Sequence, residues 1–109
     1  MKVGEYARLN NTLYNTVVIL KIMEVYDNTI LTENNGSIFQ GEYGKDEIIK
    51  HSYNIIDLIE VGDYVNGFYV INKPFNQRIH TEFDDFFEED IKSIVTKEQF
   101  SQMEYKVGE

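Results

Sequence analysis

Along the first half of the chain, apolar and polar positions fall into short blocks with the period of two that marks strands. Tyr6–Leu9 is a strand candidate that begins after Val3-Gly4, and Asn10-Asn11 reads as a turn. "YNTVVILKIMEV" (Tyr14–Val25) is β-branched, and its Val17–Leu20 run is apolar on both faces. A strand buried on two sides, or bending through a barrel wall, has that pattern. Asp27-Asn28 turns the chain into Thr29–Glu33. Asn35-Gly36, the strongest short hairpin signal, returns it through Ser37–Tyr43, so a meander is expected.

The second half is less regular. Asp46–Lys50 and Ile55–Glu60 each fit a strand or a single helical turn, and periodicity does not separate these at such lengths. Strand formers flank Asn66-Gly67 in "DYVNGFYVIN", and the sole proline, Pro74, closes that strand. Gln77–Phe83 alternates, and Glu89–Thr96 is the next strand candidate. Thr96-Lys97-Glu98-Gln99 is a capping box that predicts a short helix ending near Met103, with "EYKV" as a terminal strand.

One unit occurs twice: Val3-Gly4-Glu5-Tyr6 and Val61-Gly62-Asp63-Tyr64. Glycine before an acid and a tyrosine suits a tight turn that releases the chain into a strand. A phosphate-cradling loop would need more glycines and a following helix with lysine. The 58-residue separation is too long for a solenoid and is about the size of one small barrel. The Val-Gly-acid turns resemble those of SH3-like and related small barrels. The expected fold is one mainly β domain over residues 1–109, an SH3-like or related barrel with a short C-terminal helix.

Composition narrows the chemistry. The 109 residues include no cysteine, which excludes disulfides, zinc–thiolate sites and thiol catalysis. Thirteen Ile and ten Asn against one Pro match the codon usage of an AT-rich genome. No apolar run is long enough for a membrane span, and the N-terminus lacks a signal-peptide core, so a cytoplasmic protein is expected. The net charge is −9, and residues 51–109 carry twelve acids against five bases. Such a surface repels nucleic-acid phosphates and attracts a basic partner.

The acids concentrate in "EFDDFFEED", where six of nine residues are acidic and the rest are Phe83, Phe86 and Phe87. Read blandly, this is a solvated loop whose phenylalanines turn into the core. Read functionally, it is a negative surface with aromatic anchors, built from Glu82, Asp84, Asp85, Phe86, Phe87, Glu88, Glu89 and Asp90, that docks on a basic protein site in place of phosphates. His80, Glu82 and Asp84 would share a face if the strand reached Asp84, but one histidine among acids is a poor metal site, and none is assigned. No serine has a nucleophile-elbow context and no carboxylate pair lies in an evident pocket, so neither catalytic residue nor cofactor is expected.

With "IIKHSYNIIDLIEVGDYVNGFYV" (Ile48–Val70) and "EDIKSIVTKEQFSQMEYKV" (Glu89–Val107) in view, the chain resembles short proteins encoded by phages and prophages of AT-rich Gram-positive bacteria. Those open with Met-Lys-Val/Ile-Gly-acid-Tyr, carry "IDLIEVGDYVNG" and end in "SIVTKEQF". The resemblance covers about half the chain and omits residues 10–47 and 72–88. It implies a phage origin and a small barrel, and no reaction. Analogy with small acidic phage proteins gives the expected function. The chain would be a non-enzymatic, anti-CRISPR-like DNA mimic in the host cytoplasm, inhibiting a basic host protein that handles nucleic acid. The rival expectation is an assembly or adaptor module acting by homo-oligomerisation or docking, through Tyr64, Phe68 and Tyr69.

Overall fold

A computed structural model describes residues 1–33, 36–73 and 78–103. The chain divides into two compact units, Met1–Ile59 and Glu60–Glu109. The first contains β1 (Tyr6–Asn11), β2 (Thr16–Val25), β3 (Thr29–Thr32), β4 (Glu42–Gly44), a 3-10 turn over Lys45–Glu47, β5 (Ile48–Ser52) and a 3-10 turn over Ile55–Leu58. The second contains β6 (Tyr64–Val65), β7 (Phe68–Asn72), β8 (Arg78–Thr81), β9 (Asp85–Phe87), a 3-10 turn over Glu88–Asp90, β10 (Ile94–Val95) and α1 (Lys97–Met103).

The two units follow one plan. The first sheet has the order β4-β3-β2-β1-β5 and the second the order β9-β8-β7-β6-β10, and every pairing is antiparallel. In both, four strands form a meander, a 3-10 turn follows, and the fifth strand returns to pair with the first. The mainly β fold with a short C-terminal helix agrees with expectation, and this arrangement is consistent with a small β-barrel. Ala7, Leu9, Val18, Leu20, Ile22, Ile30 and Tyr43 form the core of the first unit. Val65, Val70 and Ile79 are fully buried in the second.

The repeated Val-Gly-acid-Tyr unit opens each plan with the same turn. Glu5 N–H donates to Lys2 O at 3.2 Å and Asp63 N–H to Glu60 O at 3.0 Å. Gly4 and Gly62 sit third in these turns at φ of +94° and +100°, the left-handed region a β-carbon disfavours. Each turn is then clamped to the second strand of its unit. Gly4 N–H and Glu5 O bond Ile22, as Gly62 N–H and Asp63 O bond Val70. The acid closes the turn from inside, its carboxylate accepting from the N–H three residues earlier, Lys2 or Glu60. Both acids are buried.

Burial pushes the Glu5 carboxyl up, but the His51 hydrogen bond, the Lys2 N–H and the charges of His51 and the N-terminus outweigh it and hold the group below its usual 4.5. A depressed carboxyl stabilises the fold above its unfolded value and ceases to do so as pH falls through its folded value. Thermal midpoints taken downward from pH 6 should therefore drop less steeply in Glu5→Gln than in wild type. Parallel profiles would show that Glu5 does not contribute to the acid limb.

Several sequence expectations need correction. Asn10 and Asn11 end β1, and the turn lies at 12–15. Asn11 is held there because its amide donates to Tyr43 Oη at 2.8 Å and accepts from Tyr14 N–H at 2.9 Å, while Asn15 takes the positive φ. The return strand expected over Ser37–Tyr43 is only Glu42–Gly44. Ser37 Oγ accepts from Phe39 N–H in a local turn, and Thr32 pairs onward to Gly41. Of Glu89–Thr96, only Ile94–Val95 is strand, because Lys92 and Ser93 N–H donate to Asn66 Oδ1 at 2.8 and 3.1 Å and not to a ladder. The open choices also resolve. Lys45–Glu47 is a 3-10 turn leading into β5, and Ile55–Leu58 is another, capped by Asn54. Asn66 and Gly67 both take positive φ (53° and 87°) and make the two-residue β6–β7 turn. Thr96 caps α1, its hydroxyl accepting from Gln99 N–H while Gln99 Oε1 accepts from Thr96 N–H. The Pro74 stop, Asn35 and the terminal "EYKV" strand lie outside the described residues.

Candidate functional site

The acidic phenylalanine segment forms the β8–β9 hairpin and the turn after it. Thr81 N–H donates to Asp84 O at 2.9 Å, so Glu82 and Phe83 are the two residues at the tip. The Thr81 hydroxyl locks the tip by donating to Asp84 O at 2.6 Å and accepting from Asp84 N–H at 3.0 Å. The strand expected over Gln77–Phe83 thus stops at Thr81, and the shared face for His80, Glu82 and Asp84 is not formed. His80 Nδ1 bonds Asp85 instead, and Arg78 Nη1 lies 3.4 Å from the same carboxylate. Among the described residues, no three His, Asp or Glu side chains are grouped to hold a metal.

The phenylalanines separate. Phe86 is half-buried and stacks on Phe68, centroids 6.0 Å apart. Phe83 touches Phe68 edge-on at 5.3 Å yet is 76% exposed. Phe87, at the far end of β9, is 45% exposed. The tip residues Glu82 and Asp84, and the turn residues Glu88, Glu89 and Asp90, are all exposed, while Asp85 is half-buried. Sequence reasoning counted Phe83 in the segment but not among its anchors. Its prominence depends on the tightness of the Thr81–Asp84 turn. The aromatics proposed for assembly are engaged within the unit: Tyr64 stacks on Phe100 at 4.2 Å and meets Tyr69 edge-on at 5.5 Å.

β9 is an edge strand, and its acids guard it. Asp85 N–H donates to Asp84 Oδ1 at 2.9 Å and Phe87 N–H to Asp90 Oδ2 at 3.3 Å. Edge amides satisfied by nearby carboxylates are poor templates for another chain's strand. Part of the charge therefore serves the fold.

Comparison of the two units shows which part. Thr32 exchanges the same three bonds with Gly41 that Thr81 exchanges with Asp84. Glu33 bonds Lys21 through N–H and carboxylate, as Glu82 bonds Tyr69. Glu42 accepts from the Thr29 hydroxyl across β3–β4, as Asp85 meets Arg78 across β8–β9. Glu47 accepts from Gly44 N–H at 2.9 Å, as Asp90 does from Phe87 N–H. Glu82, Asp85 and Asp90 thus occupy positions where the first unit also needs an acid.

No family model, curated protein or solved structure matches the chain. Among the described residues, no helix is long and apolar enough to cross a membrane.

Proposed function

We propose that this is a non-enzymatic, phage-encoded protein that binds and inhibits a basic host protein engaged in nucleic-acid handling or defence, in the manner of an anti-CRISPR protein acting in the host cytoplasm. The observation that carries this reading is the exposure of Phe83 at a hairpin tip between the exposed acids Glu82 and Asp84. An exposed aromatic framed by like charges suits a partner with an apolar pocket and a basic rim: burying the ring supplies affinity, and the charges speed encounter and repel nucleic acid. The net charge of −9 supports the same direction of attraction.

Expression in a bacterium whose CRISPR system, or another nucleic-acid-targeting defence, blocks a phage is expected to restore plaque formation. Reversing Glu88 and Glu89 to lysine should remove that effect and flatten the salt dependence of binding to the isolated defence protein. Unchanged plaque counts across such hosts would overturn the inhibitor reading. Self-association is a second reading, favoured by Leu13 and Ile38, which are 83% and 68% exposed in the first unit. A stable dimer in sedimentation that Leu13→Ser dissolves would support it.

A further inference from the structure

Two connections of the first unit are longer than their counterparts in the second, and they meet. Four residues, 12–15, join the paired Asn11 and Thr16, where Asn66-Gly67 alone join Val65 and Phe68. Eight residues, 33–40, lie between Thr32 and Gly41, where Glu82-Phe83 alone separate Thr81 from Asp84. The longer connections enclose a cavity of about 260 Å³, with Leu13 and Tyr14 on one side and Ile38 and Phe39 on the other. We propose that this groove binds an extended segment of a partner protein, taking one bulky apolar side chain and an adjacent lysine or arginine. The site is built wholly from the first unit and does not rest on the acidic hairpin.

The groove is preformed. Asn11 and Tyr43, both buried, line its base. The Asn11 amide donates to Tyr43 Oη and its oxygen accepts from Tyr14 N–H, while Tyr43 Oη donates to Phe39 O. One chain of hydrogen bonds thus ties both walls to the core, and the Tyr14 and Phe39 rings meet edge-on at 5.5 Å. A site held in this way loses little freedom on binding. Leu13 and Ile38 form its exposed lips. The second unit closes the equivalent hairpins without such residues, so folding does not account for them. The volume exceeds the roughly 150 Å³ that holds one benzene and falls below the roughly 300 Å³ at which small-molecule pockets begin, which is the scale of a side chain and not of a cofactor. The charged residues lining the groove are Glu42 and Glu47, and among the described residues neither has an ion-pair partner. Each carboxylate accepts one bond from the fold, Glu42 from the Thr29 hydroxyl and Glu47 from Gly44 N–H, and each keeps its charge. An apolar groove beside two carboxylates calls for a cation next to the buried side chain. A second copy of the chain, at a net charge of −9, would bring mainly acids to it.

The full chain, isotope-labelled for amide NMR, is titrated with a glycine–serine peptide that carries one leucine–arginine pair. Control peptides replace the leucine by serine or the arginine by citrulline. Saturable shifts are expected at the amides of Leu13, Tyr14, Phe39 and Gly41, with affinity about tenfold lower for either control. Leu13→Ser and Ile38→Ser should each weaken binding of the parent peptide about tenfold without lowering the thermal midpoint, since both side chains are exposed. Glu42→Gln combined with Glu47→Gln keeps both acceptors. It should erase the difference between arginine and citrulline and preserve that between leucine and serine. Phe83→Ala, in the second unit, should leave affinity within about twofold. An equal loss there would assign the contact to the hairpin and overturn the groove. No saturable shift at the groove, or binding that follows arginine alone, would also overturn the proposal. Shifts of the same amides on raising protein concentration without peptide, abolished by Leu13→Ser, would overturn it by giving the groove to a second copy.

Discussion

Replacing Asp63 with alanine is expected to destabilise the protein by about 3 kcal/mol. Its carboxylate has no solvent exposure and joins two segments distant in sequence. Oδ2 accepts from Glu60 N–H at 2.8 Å, closing the turn that opens the second unit. Oδ1 accepts from Lys97 N–H at 2.9 Å, at the first residue of α1. Alanine would leave both donors unsatisfied in a site closed to water, and an orphaned buried donor costs more than the bond itself contributes. The nearby Lys97–Glu60 ion pair, 2.8 Å long and partly exposed, cannot compensate, because it engages side chains and not these amides. Urea denaturation measures the effect. A loss below about 1 kcal/mol would mean that water reaches the two amides once the carboxylate is gone.

Ile79→Ala should be comparably severe, at about 3 kcal/mol, through loss of packing and not of hydrogen bonds. Ile79 is fully buried in β8, opposite Phe86, and the polar side chains of Arg78 and His80 on either side cannot turn inward to fill the space. Its counterpart is Ile30, fully buried in β3 opposite Tyr43. Ile30→Ala is therefore expected to cost a similar amount, and Ile79→Val only about 1 kcal/mol. Denaturation of all three separates cavity cost from loss of a shared fold. If Ile30→Ala were harmless while Ile79→Ala was not, the two positions would not be equivalent in energy despite their equivalence in register.

The features legible in the sequence are those whose signals are local. Asn66-Gly67 made its turn because positive φ at two consecutive residues selects for such a pair. Thr96 and Gln99 made the capping box because only the backbone between them is involved. The failures have long-range causes. Asn11 is a strong turn former, but it was drawn into β1 by the buried Tyr43 hydroxyl, whose own proton goes to Phe39 O at 2.5 Å. Burial raises the Tyr43 phenol's pKa, so the group remains the donor this arrangement needs. The segment Glu82–Asp90 was recognisable as unusual, but not as partly structural. The correspondence that separates its acids has no fixed period: 58 residues between Gly4 and Gly62, 49 between Thr32 and Thr81, and 43 between Glu47 and Asp90. The recurrence of Val-Gly-acid-Tyr was visible, whereas shortened connections hid the rest.

Those shortened connections also indicate where the chain tolerates rewriting. Between Thr32 and Gly41 the first unit uses eight residues, and between Thr81 and Asp84 the second uses two, yet the threonine bonds that flank them are the same. Closure of this hairpin is thus independent of what it encloses, since lengthening a loop adds closure entropy only slowly. For a protein engineer, the position after the glutamate that follows each threonine, Glu33 or Glu82, is an insertion port. For a lineage under pressure to follow a changing target, it is a place where length and chemistry can drift while the framework stays intact.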